Sequence, residues 1–214
     1  MKPNKEKVDI LTPPMFQKSG ITKSITNAWR DGDWVGTFNL WVFQTLPQPA
    51  IVYQQRSSLV TWSPGKLGVA AGGHYQSNEG IIDGLREVKE EIGKKYAFNK
   101  LIYCGKRLYV GFDSKNRKRQ NVVDIFMVLD NSKIESYKLQ KSEVDKICIC
   151  PIKELIKIYK KDNYRFKVQA MTNQGKLVEI IVDKNSFPLN WDNYHQKMVF
   201  LIDKFLKQNS KICY

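Results

Sequence analysis

The sequence predicts an α/β or α+β domain in which a few helices flank a mixed sheet. Three observations carry this. Short runs rich in β-branched and aromatic residues recur along the chain, and two segments place apolar residues at helical spacing. Neither a repeat nor a low-complexity linker divides the 214 residues, so 1–214 reads as one domain.

Residues 1–20, with Pro3, Pro13 and Pro14, read as a lead-in. Gly36–Phe43 is a strand run closed by Pro47 and Pro49, and Ile51–Gln55 is a second, followed by the Ser63-Pro64-Gly65 turn. The short apolar run Leu67–Ala71 leads into Gly72-Gly73. Ile81–Ile92 is the clearest helix, with Gly93 where glycine is favoured after a helix end. Leu101–Val110 and Val122–Leu129 are strands on either side of the basic run Lys115–Arg119, which reads as a hairpin loop. In the C-terminal part of the domain, 130–214, Lys146–Pro151 is a strand and Ile152–Tyr159 a short helix. Tyr164–Thr172 and Leu177–Val182 form a hairpin across Asn173-Gln174-Gly175, and Tyr194–Leu206 is a terminal amphipathic helix.

Hydrophobic residues make up 42% of the chain, enough for a core. No apolar run approaches the ~20 residues of a membrane helix, and Met1 to Lys7 lack an apolar secretory segment. A cytoplasmic protein without a membrane partner is expected. The formal charge is +14, but the lysines are spread and no aromatic-interleaved signature accompanies them, so nucleic acid is not the expected partner. Cys104, Cys148, Cys150 and Cys213 include no CxxC pair; they read as reduced, buried thiols.

At 100° per residue, Ile81, Leu85, Val88 and Ile92 fall on one stripe of the predicted helix, and Glu87, Glu90 and Glu91 gather on the other side. Three like charges at these spacings repel, and they lie in the last turn, where the helix dipole disfavours anions. A hard divalent cation would resolve both conflicts, while the helix alone reads equally as a solvated acidic face beside Arg86, Lys89, Lys94 and Lys95. Ahead of the helix runs Ala70-Ala71-Gly72-Gly73-His74, a double glycine that lets backbone approach a metal or phosphate.

Gly73, Glu79, Arg86, Glu87, Val88, Glu90, Glu91 and Gly93 stand in a pattern that resembles the Nudix box. Six residues, Gly80 to Leu85, separate Glu79 from Arg86, one fewer than the family usually has, and Lys94 stands where an apolar residue is usual. The resemblance implies an α/β/α sandwich with a mixed sheet and a loop–helix–loop box. It implies a hydrolase of a diphosphate linkage in a nucleoside diphosphate derivative, a small-molecule substrate cleaved with Mg²⁺, for which Mn²⁺ can substitute. Glu87 and Glu91 would be the main metal ligands, with Glu90 sharing the work and the Gly72 carbonyl completing the site. Arg86 would hold the glutamates, Glu87 would take the proton from water, and Asp124 is a further ligand candidate. His74, Glu79 and Arg56 are the residues expected to meet substrate.

Lys23-Ser24, Arg30-Asp31-Gly32-Asp33-Trp34, Thr37-Phe38-Asn39-Leu40-Trp41 and Trp62-Ser63-Pro64-Gly65-Lys66-Leu67 resemble the isopentenyl-diphosphate isomerase-like branch. That reaction needs a catalytic cysteine, where this chain has Gly72, and several histidines, of which only His74 has a counterpart. Hydrolysis is therefore expected, ahead of isomerisation or an inactive nucleotide- or RNA-binding module. Trp29, Trp34, Trp41 and Trp62 are candidates for a stacking wall, and His195 reads as structural.

Overall fold

A computed structural model describes residues 6–113, 116–189 and 191–208. Its strands are β1 (Lys7–Thr12), β2 (Gln17–Ser24), β3 (Trp34–Gln44), β4 (Ala50–Arg56), β5 (Leu67–Gly68), β6 (Ala71–His74), β7 (Ile102–Phe112), β8 (Lys118–Leu129), β9 (Val144–Pro151), β10 (Arg165–Thr172) and β11 (Leu177–Asp183). The helices are α1 (Ile25–Asp31), α2 (Leu85–Ile92), α3 (Ile152–Lys160) and α4 (Tyr194–Gln208).

β3 is the spine. One edge pairs antiparallel with β1 at Trp34 and Val35, with β6 from Thr37 to Leu40, and with β4 from Val42 to Gln44. The other edge runs parallel to β8 from Trp34 to Phe43. β4 continues through β9 and β10 to β11, and β8 carries β7. The sheet is mixed. Alternation along β3 then separates two cores. Trp41 and Phe43 pack with Tyr53 against α3 and α4, through Leu155, Ile158, Met198 and Ile202. Phe38, Leu40 and Val42 face α2, through Val88 and Ile92. Each of these side chains is nearly or fully buried and contributes on the order of 2 kcal/mol. The result is the α/β/α sandwich.

Three local findings differ from the sequence reading. Residues 7–24, read as mostly lead-in, form the antiparallel β1–β2 hairpin, which closes a small core of Val8, Ile10, Ile25, Ala28, Trp29 and Val35. α1 follows, started by the Ser24 side chain accepting from the Asn27 N–H and stopped by Gly32 at φ 70°. Residues 81–92 divide into a 3₁₀ turn over Ile81–Gly84 and α2, so Ile81 is 37% exposed and the apolar stripe starts at Leu85.

No helix of the described residues is long and apolar enough to cross a membrane. Cys104, Cys148 and Cys150 are buried thiols outside any disulfide among the described residues, with the last two sulfurs 3.6 Å apart; Cys213 lies outside the described residues.

Candidate active site

β6 and α2 bring the acidic residues onto the sheet. Gly72 and Gly73 pair with Asn39 and Phe38 of β3. A Cβ on Gly73 would overlap the Glu87 carboxylate, and one on Gly72 would lie 2.6 Å from Asn39 Oδ1 and 2.8 Å from the Phe38 carbonyl. Gly73 thus leaves the room that the Glu87 carboxylate fills, and Gly72 lets β6 lie close against β3.

Arg86 is the hub of the acidic face. Its Nε donates to Glu79 Oε1 at 2.9 Å, Nη2 lies 2.8 Å from Glu87 Oε1, and Nη1 donates to Glu90 Oε2 at 3.1 Å. Glu79 reaches Arg86 despite the shortened spacing because the intervening 3₁₀ turn rises ~2.0 Å per residue, against ~1.5 Å in an α-helix. Four residues there cover about the length of five.

The three glutamates are not equivalent. Glu87 and Glu91 are 9% and 1% exposed and turn inward beside Val88 and Ile92, while the Glu90 side chain is 39% exposed at the rim. The common outward face expected from 100° spacing is thus split: the glycine strand leaves room beneath α2 for two carboxylates. Glu91 Oε2 accepts from Gln54 Nε2 at 3.1 Å and from the Gly72 N–H at 2.9 Å. Burial pushes the Glu87 carboxyl up to about 7 against the pull of Arg86. Burial with repulsion from Glu87 and Glu143 pushes Glu91 well up too, and burial takes Glu6 to about 6.

Glu6, Glu87 and Glu90 line a cleft that Arg56 and Arg119 also line. Arg56 donates to the Trp62 carbonyl at 2.9 Å and lies over its ring. Arg119 donates to Thr61 Oγ1 at 3.0 Å and lies 3.6 Å above the Trp29 ring. Burial lowers both arginines, Arg119 to about 10, so both remain charged at neutral pH. His74 lines the same cleft; burial, with Arg119 and Arg56 nearby, takes it down to about 3. It is therefore neutral, and its 3.7 Å approach to Glu6 is no ion pair at pH 7.

Among the residues singled out in the sequence, Glu87, Glu90, Arg86, Gly72, His74 and Arg56 come together here, and Glu91 lies directly behind. Glu79 does not line the cleft; its carboxylate is taken by Arg86 and the Gln76 N–H. Asp124 accepts from the Tyr75 and Tyr103 hydroxyls at 3.2 and 3.1 Å and lines neither this cleft nor the cavity beside it. The basic run is no uniform solvated loop. Arg117 and Arg119 both bind Asp113, Arg119 is 6% exposed, and Lys115 lies outside the described residues. Of the tryptophans, Trp29 and Trp62 line the cleft, Trp41 is core, and Trp34 packs on Phe16. Sequence reasoning missed Arg119 and Gln54, whose signal is a polar residue at an inward position of a buried strand. It also missed Glu6 and Glu143, which carry no signal of their own.

Among the described residues no three carboxylate, imidazole or thiolate groups are arranged to hold a metal ion, since Arg86 spans Glu87 and Glu90. The donor chemistry nonetheless fits a hard divalent cation. It is all oxygen, and the crowded, proton-retaining Glu87 and Glu91 would be relieved by positive charge.

No family model matches the chain. An uncharacterized Nudix hydrolase of Clostridium acetobutylicum is 32% identical over 160 residues, 73% of each chain. Nudix hydrolase 3 of Arabidopsis thaliana is 25% identical over 181 residues, 82% of this chain but only 23% of the plant protein. In structure, DR0079 of Deinococcus radiodurans superposes with a TM-score of 0.52 at 17% identity, covering 71% of this chain and 86% of that one. A MutT protein of Methanosarcina mazei gives 0.50 at 15% identity over 82% and 96%. Fold and relatives together define a hydrolase acting on diphosphate bonds. The chain belongs to the Nudix hydrolase family.

Proposed function

We propose that the protein cleaves the diphosphate linkage of a nucleoside diphosphate derivative in the cytoplasm, using Mg²⁺ or, in its place, Mn²⁺. The observation that carries this is the buried Glu87, with Glu91 directly behind it, in a cleft that the charged Arg56 and Arg119 also line. Glu87, Glu91 and Glu90 would hold the cation, with the Gly72 carbonyl beside them. Bound there, the ion would polarise phosphoryl oxygens and make hydroxide available near neutral pH.

The chain's own residues do the rest. Arg56 and Arg119 lie where they can neutralise diphosphate oxygens. Water adds to one phosphorus, the bridging P–O bond breaks, and the water's proton passes to Glu87, whose proton affinity lies near the working pH. Gln54 and the Gly72 N–H hold Glu91, and Arg86 holds Glu87 and Glu90.

Phosphate release from a panel of nucleoside diphosphate derivatives tests the reading. Glu91→Gln should keep the fold while turnover falls at least ~10²-fold and Mg²⁺ binding weakens. Wild-type turnover in that variant would remove Glu91 from the site.

Carbon-centred isomerisation is the competing reading. Gly72 supplies no thiol, and Cys104, Cys148 and Cys150 line neither the cleft nor the cavity beside it. We expect no deuterium uptake from heavy water into isopentenyl diphosphate; uptake at an enzymatic rate would reverse the choice.

A further inference from the structure

A second cavity, of about 140 Å³, shares Arg56, Trp62, Gly72, Gly73, His74 and Arg119 with the glutamate cleft. Its walls hold an unusual concentration of unmet polarity. Thr37 Oγ1, Gln54 Oε1, Arg119 Nε, Asn121 Oδ1 and His195 Nδ1 are buried and find no hydrogen-bond partner among the described residues. Nine side-chain atoms of the described chain are in that condition, and five of them line this one cavity, so they are not scattered packing faults. Thr37, Gln54, Arg119 and His195 are each less than 9% exposed. Buried polar atoms without partners are destabilising, and a cluster of them around a cavity marks a place built for a ligand.

The wall chemistry narrows the ligand. Arg107 is neutralised by Asp192, with contacts of 2.5 and 3.0 Å, and Arg119 is paired with Asp113. His195 is neutral, its protonated form disfavoured by burial. Arg56 and Arg119 are shared with the glutamate cleft, where they meet the diphosphate, so the walls beyond them ask for an uncharged group. Gln54 Nε2 is committed to Glu91, which leaves Oε1 in need of a donor, as is Asn121 Oδ1. Arg119 Nε needs an acceptor. Tyr109, Tyr194 and Trp62 add aromatic surface for a ring. A purely hydrocarbon chain would leave all five polar atoms unmet.

We propose that this cavity holds the group joined to the diphosphate, and that this group is a single uncharged ring bearing hydroxyl or imide donors and an oxygen acceptor. A hydroxylated sugar and a pyrimidine share that chemistry. The inference rests on the diphosphate reading of the adjoining cleft. Gln54 joins the two sites, with one end of its amide on Glu91 and the other in the cavity, and is a positioning residue for the glutamate.

Calorimetry of the full chain in Ca²⁺ would compare uridine diphosphate, ribose 5-diphosphate, isopentenyl diphosphate and methyl diphosphate. One or both ring-bearing probes should bind at least about tenfold tighter than the other two, as one good hydrogen-bond set supplies; an equal gain for both places the sugar in the cavity, and a gain for uridine diphosphate alone places the pyrimidine there. Thr37→Val and Asn121→Leu should erase that advantage and yet raise the ligand-free Tm by about 2 °C or more, because each removes an unmet polar atom. A structural role would instead lower Tm. Thr37→Val, nearly isosteric, carries the test if Asn121→Leu does not fold. Gln54→Leu should lower kcat as well as raise KM, a split that Thr37→Val does not show. Isopentenyl diphosphate binding as tightly as the ring probes, or a ring advantage that survives both substitutions, would overturn the assignment. Ring-selective binding without hydrolysis in Mg²⁺ would sink the cleavage reading and leave the cavity assigned; hydrolysis without ring selectivity would do the reverse.

Discussion

Glu87 and Glu91 hold protons that an exposed carboxylate would release, and that sets a pH signature for the metal-free protein. Burial moves Glu87 from its ordinary 4.5 to about 7, so between those values the folded state binds more protons than the unfolded one. Stability must then fall as pH rises from ~4.5 to ~7, by roughly 3 kcal/mol for Glu87, with Glu91 acting in the same direction. His74 and His195 act oppositely: held neutral, down to about 3, they lose stability as pH falls below their usual 6.5. Comparing wild type with Glu87→Gln cancels the histidines. In chelator, the variant's Tm advantage should grow from about pH 4.5 to about pH 7 and then level. Added Mg²⁺ should narrow it by stabilising the wild type, more at about pH 8 than at about pH 5. Parallel Tm curves would mean that Glu87 is not buried as a charge. The motif singled out Glu87, Glu90 and Glu91 but not their unequal burial, because a helical wheel does not show that the opposing strand is glycine.

At the scale of elements, the strand–turn–helix unit depends on backbone geometry that only part of the sequence reveals. Gly93 as the stop of α2, at φ 68°, was legible, and so were β3, β4, β7 to β11, α3 and α4 to within a few residues. The β1–β2 hairpin was not. Its second strand, Gln17–Ser24, is exposed along most of its length, so no buried alternation marks it. α1 carried readable caps in Ser24 and Gly32, hidden by the shortness of the helix. The 3₁₀ turn was concealed because its apolar residues fit helical spacing on paper. Gly73 tests the unit. A methyl group there would displace the flexible Glu87 carboxylate and not backbone, so Gly73→Ala should cost little stability, on the order of 1 kcal/mol. It should lower turnover at least ~10-fold by moving the carboxylate. A large Tm loss with full activity would show that Gly73 supports folding and not the site.

Across the whole molecule, a charge of +14 surrounds a cleft that itself carries Glu6, Glu87, Glu90 and Glu143. Composition revealed the excess but not its placement. Arg119, in the basic run KNRKR, turns inward beside Trp29, and Arg117 is spent on Asp113, so the run contributes less to the outer field than its count suggests. The remaining exposed lysines should still draw a polyanion toward the protein. From about 0.01 M to about 0.15 M salt the Debye length contracts from ~30 to ~8 Å, and steering by exposed charge fades with it. KM should therefore rise several-fold over that range while kcat holds, the pattern of lost attraction and not of lost transition-state contacts. Lys118→Ala, at an exposed position, should raise KM only at the low-salt end. Arg119→Ala should raise it at every salt concentration, because a buried cation in the cleft wall is screened little. A KM that stays flat with salt in the wild type would make the excess charge a solvated surface and leave Arg119 as the part of the basic run that touches substrate.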